Sequence, residues 1–143
     1  MSYLPRETPT PAPTPDEQPF WDACKAHELR VQCCRDCGTF RHPPVPVCHD
    51  CGSTGIDWQQ VSGRGTVFSY TIAHHPTHPA LNAAVPYNIA VVLLEDAGDV
   101  RLVTNVIDVS PEEMRVGLPV TVAWEDAADG WVLPRFRRRE ADQ

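Results

Sequence analysis

Four cysteines carry the clearest chemistry in this sequence: Cys34-Arg35-Asp36-Cys37-Gly38, then Cys48-His49-Asp50-Cys51-Gly52, with ten residues between the two pairs. A Cys-x-x-Cys hairpin presents two thiolates on one knuckle, and two knuckles complete the tetrahedral shell that Zn²⁺ takes up in structural sites. The glycine after each second cysteine permits φ > 0. Backbone amides can then turn toward the sulfurs and offset their charge. The expected ligands are Cys34, Cys37, Cys48 and Cys51, and the expected metal is structural Zn²⁺.

The same spacing occurs in rubredoxin knuckles, where four sulfurs hold iron, and ligand type alone does not separate the two metals. A shell closed by four thiolates leaves no position for a catalytic water. Cys33, beside Cys34, breaks the symmetric pairing and is expected to point away from the metal. Cys24 reads as a small core residue. His42 and His49 lie inside the ribbon but are not needed as ligands.

Other reactive clusters are sparse. The sequence has no Gly-x-Ser-x-Gly, no phosphate-binding glycine loop and no dinucleotide fingerprint. His74, His75 and His78 share a proline-rich loop, but imidazoles there without a neighbouring carboxylate read as exposed or interface groups, not as a proton relay. Arg135, Arg137, Arg138 and Arg139 suit bidentate contacts to phosphate, coenzyme A phosphates among them; their other reading is a solvated tail.

The elements that must hold these groups follow from local pattern. Residues 1–15 alternate Pro with Thr and Ala and read as an extended, Pro-rich arm. Thr14-Pro15-Asp16-Glu17 has the form of a capping box opening a short helix over 16–28. Its apolar side carries Phe20, Trp21, Cys24 and His27, directed at the chain's own core or at another subunit. A zinc ribbon is expected over 29–60. From 61 to 136 the pattern changes to strands at Thr66–Ile72, Asn88–Leu94, Val100–Ile107, Val120–Trp124 and Trp131–Leu133. Alternation in the first would put Phe68, Tyr70 and Ile72 on one side. A second capping box, Ser110-Pro111-Glu112-Glu113, inserts a helical turn after the third. Five strands with that insertion suggest a Greek-key barrel of the OB type, with an SH3-like barrel or an open sandwich as alternatives. Residues 137–143 read as a basic, polar tail.

Composition narrows the function. A net charge of −7, with Lys25 as the single lysine, opposes general nucleic-acid binding, where phosphate neutralisation supplies most of the affinity. No apolar run approaches the ~20 residues of a membrane span, and the first residues lack the basic start and apolar stretch expected of a signal peptide. The expected compartment is the reducing cytoplasm, where paired cysteines serve as ligands more often than as disulfides.

The order of motifs resembles the DUF35 family, rubredoxin-like zinc ribbons followed by acyl-CoA-associated OB folds. The resemblance rests on Phe20-Trp21, Leu29-x-x-Gln32-x-Cys34-x-x-Cys37-Gly38, Pro43-Pro44 before Cys48-x-x-Cys51-Gly52, Gly65–Thr71, Gly117-Leu118-Pro119-Val120 and Leu133-Pro134-Arg135-Phe136. The sequence departs from the family in two places: Cys33 stands where a basic residue is common, and Val45 replaces the arginine that often follows the two prolines. The resemblance implies a mainly β protein in which a short helix and zinc ribbon precede a five-stranded OB barrel. It also implies a non-catalytic accessory subunit of a thiolase-fold, acyl-CoA-using enzyme, an acyltransferase or a lipid-transfer-protein-like aldolase of steroid side-chain degradation. The assembly would be a two-plus-two hetero-tetramer, with a coenzyme A thioester bound in the complex. Phe20, Trp21, His74, His75, His78, Tyr87 and Arg135 are the expected contacts to the partner or to acyl-CoA. The alternatives are an OB-type nucleic-acid-binding zinc-ribbon protein, with Phe68, Tyr70 and Tyr87 as stacking groups, and a rubredoxin-like electron carrier.

Overall fold

The computed structural model describes residues 2–140. Helix α1 (Gln18–Lys25) is shorter than the sequence suggests. At its start, residues 14–17 form a separate turn in which the Thr14 N–H donates to the Glu17 carboxylate at 2.9 Å. At its end, His27 takes a left-handed φ of 58°. The Glu28 N–H then reaches back to the Ala23 carbonyl and the His27 N–H to that of Cys24, both at 2.9 Å, which is the pairing of a Schellman stop. The imidazole of His27 stacks on Trp124 with ring centroids 5.6 Å apart, a contact that offsets the strain of a non-glycine residue there.

The ribbon is a three-stranded antiparallel sheet in which β1 (Arg30–Cys34) lies between β2 (Phe40–Arg41) and β3 (Ile56–Gln60). The second sheet comprises β4 (Arg64–Ala73), β5 (Tyr87–Leu94), β6 (Arg101–Thr104), β7 (Val106–Ile107), β8 (Pro119–Asp126) and β9 (Val132–Arg138). Its order is β6-β5-β4-β8-β9-β7. β6 and β7 are one expected strand interrupted at Asn105: its first half pairs antiparallel with β5, and its second pairs parallel with β9. That switch of partner closes the sheet into the OB barrel. Short 3₁₀ turns follow at Pro79–Leu81 and at Pro111–Glu113, where the capping box of Ser110 and Glu113 forms.

Two findings correct the strand pattern. The β4 ladder shifts between Val67 and Ser69, so Phe68 sits on a bulge. Val67, Tyr70 and Ile72 face the core, while Phe68 is 47% exposed beneath the Arg101 guanidinium, 4.2 Å from its ring centre. An extra residue reverses the facing of everything before it. The arginine run, in turn, is not a tail: β9 continues through Arg138, and Arg139 is buried with its Nη2 2.7 Å from Glu95. Residues 141–143 lie outside the described residues.

The seam at Asn105 is closed by side-chain amides. Asn88 exchanges hydrogen bonds with the Val106 backbone, donating to its carbonyl at 2.7 Å and accepting from its N–H at 2.8 Å. Asn105 Nδ2 donates back to the Asn88 carbonyl. The arm folds over its own barrel here. The Asn88 N–H and Nδ2 donate to the Tyr3 hydroxyl at 3.0 and 2.9 Å, and the Tyr3 N–H donates to Glu125 at 3.0 Å. One apolar cluster then runs through both sheets, from Phe20, Leu29 and Val31 to Val92, Leu118 and Phe136. Among the described residues, no helix is long and apolar enough to cross a membrane.

Candidate metal centre and partner surface

The first cysteine of each pair stands where regular pairing ends, Cys34 as the last residue of β1 and Cys48 at the head of the second turn. The knuckles share one hydrogen-bond pattern: the Gly38 N–H donates to the Cys34 carbonyl and the Gly52 N–H to the Cys48 carbonyl, each at 2.9 Å. Both glycines have positive φ, 77° and 76°, as the sequence required. The four sulfurs converge within 4.8 Å of one another, and Cys34–Cys51 and Cys37–Cys48 are 3.6 Å apart. A tetrahedron of Zn–S bonds near 2.3 Å has edges of roughly 3.8 Å, so the donor set fits Zn²⁺.

Electrostatics point the same way. Amides of Cys37 and Asp36 aimed at Cys34 bring its thiol down to about 6, and those of Cys51 and Asp50 lower Cys48. The Ser53 amide favours the Cys51 thiolate, yet the neighbouring sulfur of Cys34, with those of Cys37 and Cys48, pushes it up to about 12. A cation is what lets all four sulfurs ionise together. Cys33 turns away, with its sulfur 3.4 Å from the Gly38 carbonyl, and burial pushes the Cys24 thiol up to about 12. No other group of three metal-binding side chains comes together among the described residues.

The remaining expected contacts are dispersed. Phe20 and Tyr87 are buried within the chain itself, which leaves neither ring free to meet a partner or a base. Trp21 is half-buried, edge-on to Trp131 at 5.8 Å. Arg135 is engaged internally, donating to Glu125 at 2.8 Å and to Asn105 Oδ1 at 2.6 Å. His74, His75 and His78 are exposed on the loop after β4, where His78 Nδ1 accepts from the Ala80 N–H at 3.0 Å. Sequence reasoning missed the Asn88–Asn105–Tyr3 network, because two asparagines 17 residues apart, one in β5 and one at the break between β6 and β7, carry no motif.

Residues 21–57 match the family model for the ChsH2 rubredoxin-like zinc ribbon domain, and residues 58–125 that for the ChsH2 C-terminal OB-fold domain. A DUF35 domain-containing scaffold protein of Pyrococcus furiosus is 35% identical over 106 residues, covering 71% of this chain and 76% of that protein. The chain belongs to the DUF35 family. A solved DUF35 chain from the Ltp2-ChsH2(DUF35) aldolase is 40% identical, with a TM-score of 0.82 over 90% of this chain and 98% of that one. The 3-oxo-4,17-pregnadiene-20-carboxyl-CoA hydratase alpha subunit of Mycobacterium tuberculosis is 41% identical over 123 residues, 86% of this chain. A probable enoyl-CoA hydratase alpha subunit of Thermomonospora curvata is 41% identical over 129 residues, 90% of this chain. The chain spans about two fifths of the length of these two curated relatives, 38% and 39%.

Proposed function

We propose that this chain is the non-catalytic DUF35 partner of an acyl-CoA-acting enzyme, with Cys34, Cys37, Cys48 and Cys51 holding a structural Zn²⁺. The observation that carries the reading is the likeness to the DUF35 chain of the Ltp2-ChsH2 aldolase over 98% of that chain. The preferred partner is a thiolase-fold subunit performing retro-aldol cleavage, in a two-plus-two assembly that binds a coenzyme A thioester. The chain's own chemistry supports an accessory role, since its metal shell is closed and no second group of three metal-binding side chains comes together among the described residues. Of the expected contacts, His74, His75, His78 and Trp21 offer surface, while Phe20, Tyr87 and Arg135 act from behind it by fixing the helix, the loop end and the barrel seam.

A second reading has support of its own: two hydratase alpha subunits carry this region as part of a longer chain. The partner would then be a hydratase, and the loss or gain of water would replace carbon–carbon cleavage.

The experiment is affinity purification of the tagged full chain from its native host, followed by acyl-CoA assays on the pair and on each component. Expected are a co-purifying thiolase-fold protein, aldol cleavage by the pair and none by this chain alone. Recovery of a hydratase with reversible hydration favours the second reading. Turnover by the isolated chain defeats both.

A further inference from the structure

Strand β5 has a residue pattern that the isolated chain does not explain. In an antiparallel wall one face packs inward and the other meets water, so apolar and polar residues alternate. In β5 the inward residues Ala90, Val92 and Leu94 are buried in the core, but the residues between them are Ile89, Val91 and Leu93. These three lie outside the core cluster and are only half-buried. An apolar run on both sides is the mark of a strand covered on both sides.

The neighbouring strands extend this outer face. Val103 of β6 stands directly opposite Val91 and is 75% exposed. On the other flank Ser69 of β4 pairs with Val91, and the bulge just before it turns Phe68 outward. Because β5 lies between β4 and β6, the Phe68 ring and the Arg101 guanidinium meet across the outer side of β5. Apolar residues exposed singly are ordinary, whereas a contiguous set marks a contact surface.

The charge at one margin of the face narrows what covers it. Arg101 has no carboxylate partner among the described residues. Close to it in register are Arg64, whose partner Glu95 also holds Arg139 at 2.7 Å, and Arg137, reached from Arg64 through Thr121. The carboxylates of the β5–β6 loop leave Arg101 unpaired: Asp96 accepts from the Ser62 N–H, and Asp99 is exposed. A chain of net charge −7 therefore places cations beside an apolar face.

Such a face does not suit every occupant. A single-stranded nucleic acid needs successive rings to stack on, and only Phe68 is offered: Tyr70 faces the core and Tyr87 is buried. A second copy would meet the same patch across a two-fold axis. It would bring a second Arg101, while Glu95 is already engaged.

We propose that the outer face of β4, β5 and β6 is the docking surface for the enzyme subunit that this chain accompanies. That subunit meets Phe68, Val91 and Val103 with an apolar patch of its own and supplies a carboxylate to Arg101. The inference rests on the accessory reading above and adds to it the place and the chemistry of the contact. None of these four residues is among the enzyme contacts that the sequence suggested. An aromatic ring and a guanidinium inside an apolar patch are the groups that carry most of the energy in a protein interface, and the charge pair sets orientation and association rate.

The test uses the zinc-loaded full chain and the enzyme subunit that co-purifies with it, each produced separately, with affinity and association rate measured for the pair. Phe68→Ala is expected to weaken binding about tenfold or more, and Val103→Gln several-fold. Arg101→Glu should slow association more at low salt than at high salt. Glu112→Gln, on the exposed turn after β7, should change nothing. All four side chains are exposed, so zinc content and melting temperature should stay at wild-type values. Hydroxyl-radical labelling of Phe68 in the unmutated chain should fall when the subunit binds. Wild-type affinity in Phe68→Ala and Val103→Gln, or undiminished labelling of Phe68, overturns this surface and leaves the accessory role standing. Failure to recover any acyl-CoA enzyme with the wild type defeats the accessory reading and the surface with it. Self-association that Phe68→Ala disrupts, or oligonucleotide binding that it abolishes, would give the face another occupant and also overturns the inference.

Discussion

In the ribbon, order comes from four sulfurs and the amides around them; in the barrel, from an apolar interior and a wall of strands. The ribbon sheet has only three strands, one of them two residues long, and most of β3 faces solvent. The barrel buries Val67, Val92, Leu94, Leu118, Val120 and Phe136 almost completely. Two regions of one chain thus rely on different forces, the ribbon on bonds to one ion and the barrel on burial spread over many residues. Because Leu29, Val31 and Phe20 belong to the same apolar cluster as the barrel, the two are energetically joined.

Metal removal should separate them most sharply. Zinc contributes on the order of 10 kcal/mol of apparent binding energy in small zinc modules, a contribution that is folding energy for the ribbon. Chelation, or Cys34→Ser with Cys48→Ser, is expected to abolish hydrogen-exchange protection over β1–β3. It should also lower the barrel's melting temperature through the shared cluster. Ribbon amides still protected without metal would mean that packing, not coordination, holds it.

A smaller break tests the barrel. Asn88→Ala leaves the Val106 N–H and carbonyl without their side-chain partner and removes an anchor of Tyr3. Each orphaned buried group costs roughly 1–3 kcal/mol, so a loss of about 2–4 kcal/mol is expected in denaturant melts, with zinc content unchanged. Metal loss in this variant would show that the seam and the ribbon are not independent.

The smallest effect sits where the regions meet. Burial holds the His42 imidazole below its ordinary pKa, against a weaker upward pull from Glu17. The unfolded chain therefore binds a proton more readily than the folded one between the lowered value and about 6.5. Stability should be complete above that range and decline as pH falls through it. His42→Phe, which keeps the ring packed 5.1 Å from Phe20, should flatten that part of the profile, and an unchanged slope would assign it elsewhere.

The same contrast decides what the sequence discloses. Metal chemistry is local, so Cys34, Cys37, Cys48, Cys51 and the positive φ of Gly38 and Gly52 were legible from spacing alone. The barrel's strands were legible from apolar runs, including the one over 100–107. Its break at Asn105 was not, because β7 pairs with a strand about thirty residues later and the amide bridge depends on Asn88 from another strand. Arg135 looked like a free cation because its partner, Glu125, lies across a hairpin. Phe20 and Tyr87 looked available because burial of a single aromatic ring is set by tertiary packing.

The bulge at Phe68 has one more consequence. The pairs on either side of it, Val67–Val92 and Ser69–Val91, are consecutive on the β5 side. Deleting Phe68 would therefore leave an unbroken ladder with Val67, Tyr70 and Ile72 still facing inward. The wall carries one residue that its own architecture does not require, and what that residue adds is a ring on the outer surface beneath Arg101. Shortening the chain at that point alters the face shown to other molecules while sparing the interior, which makes position 68 a natural place to lengthen, trim or label this strand.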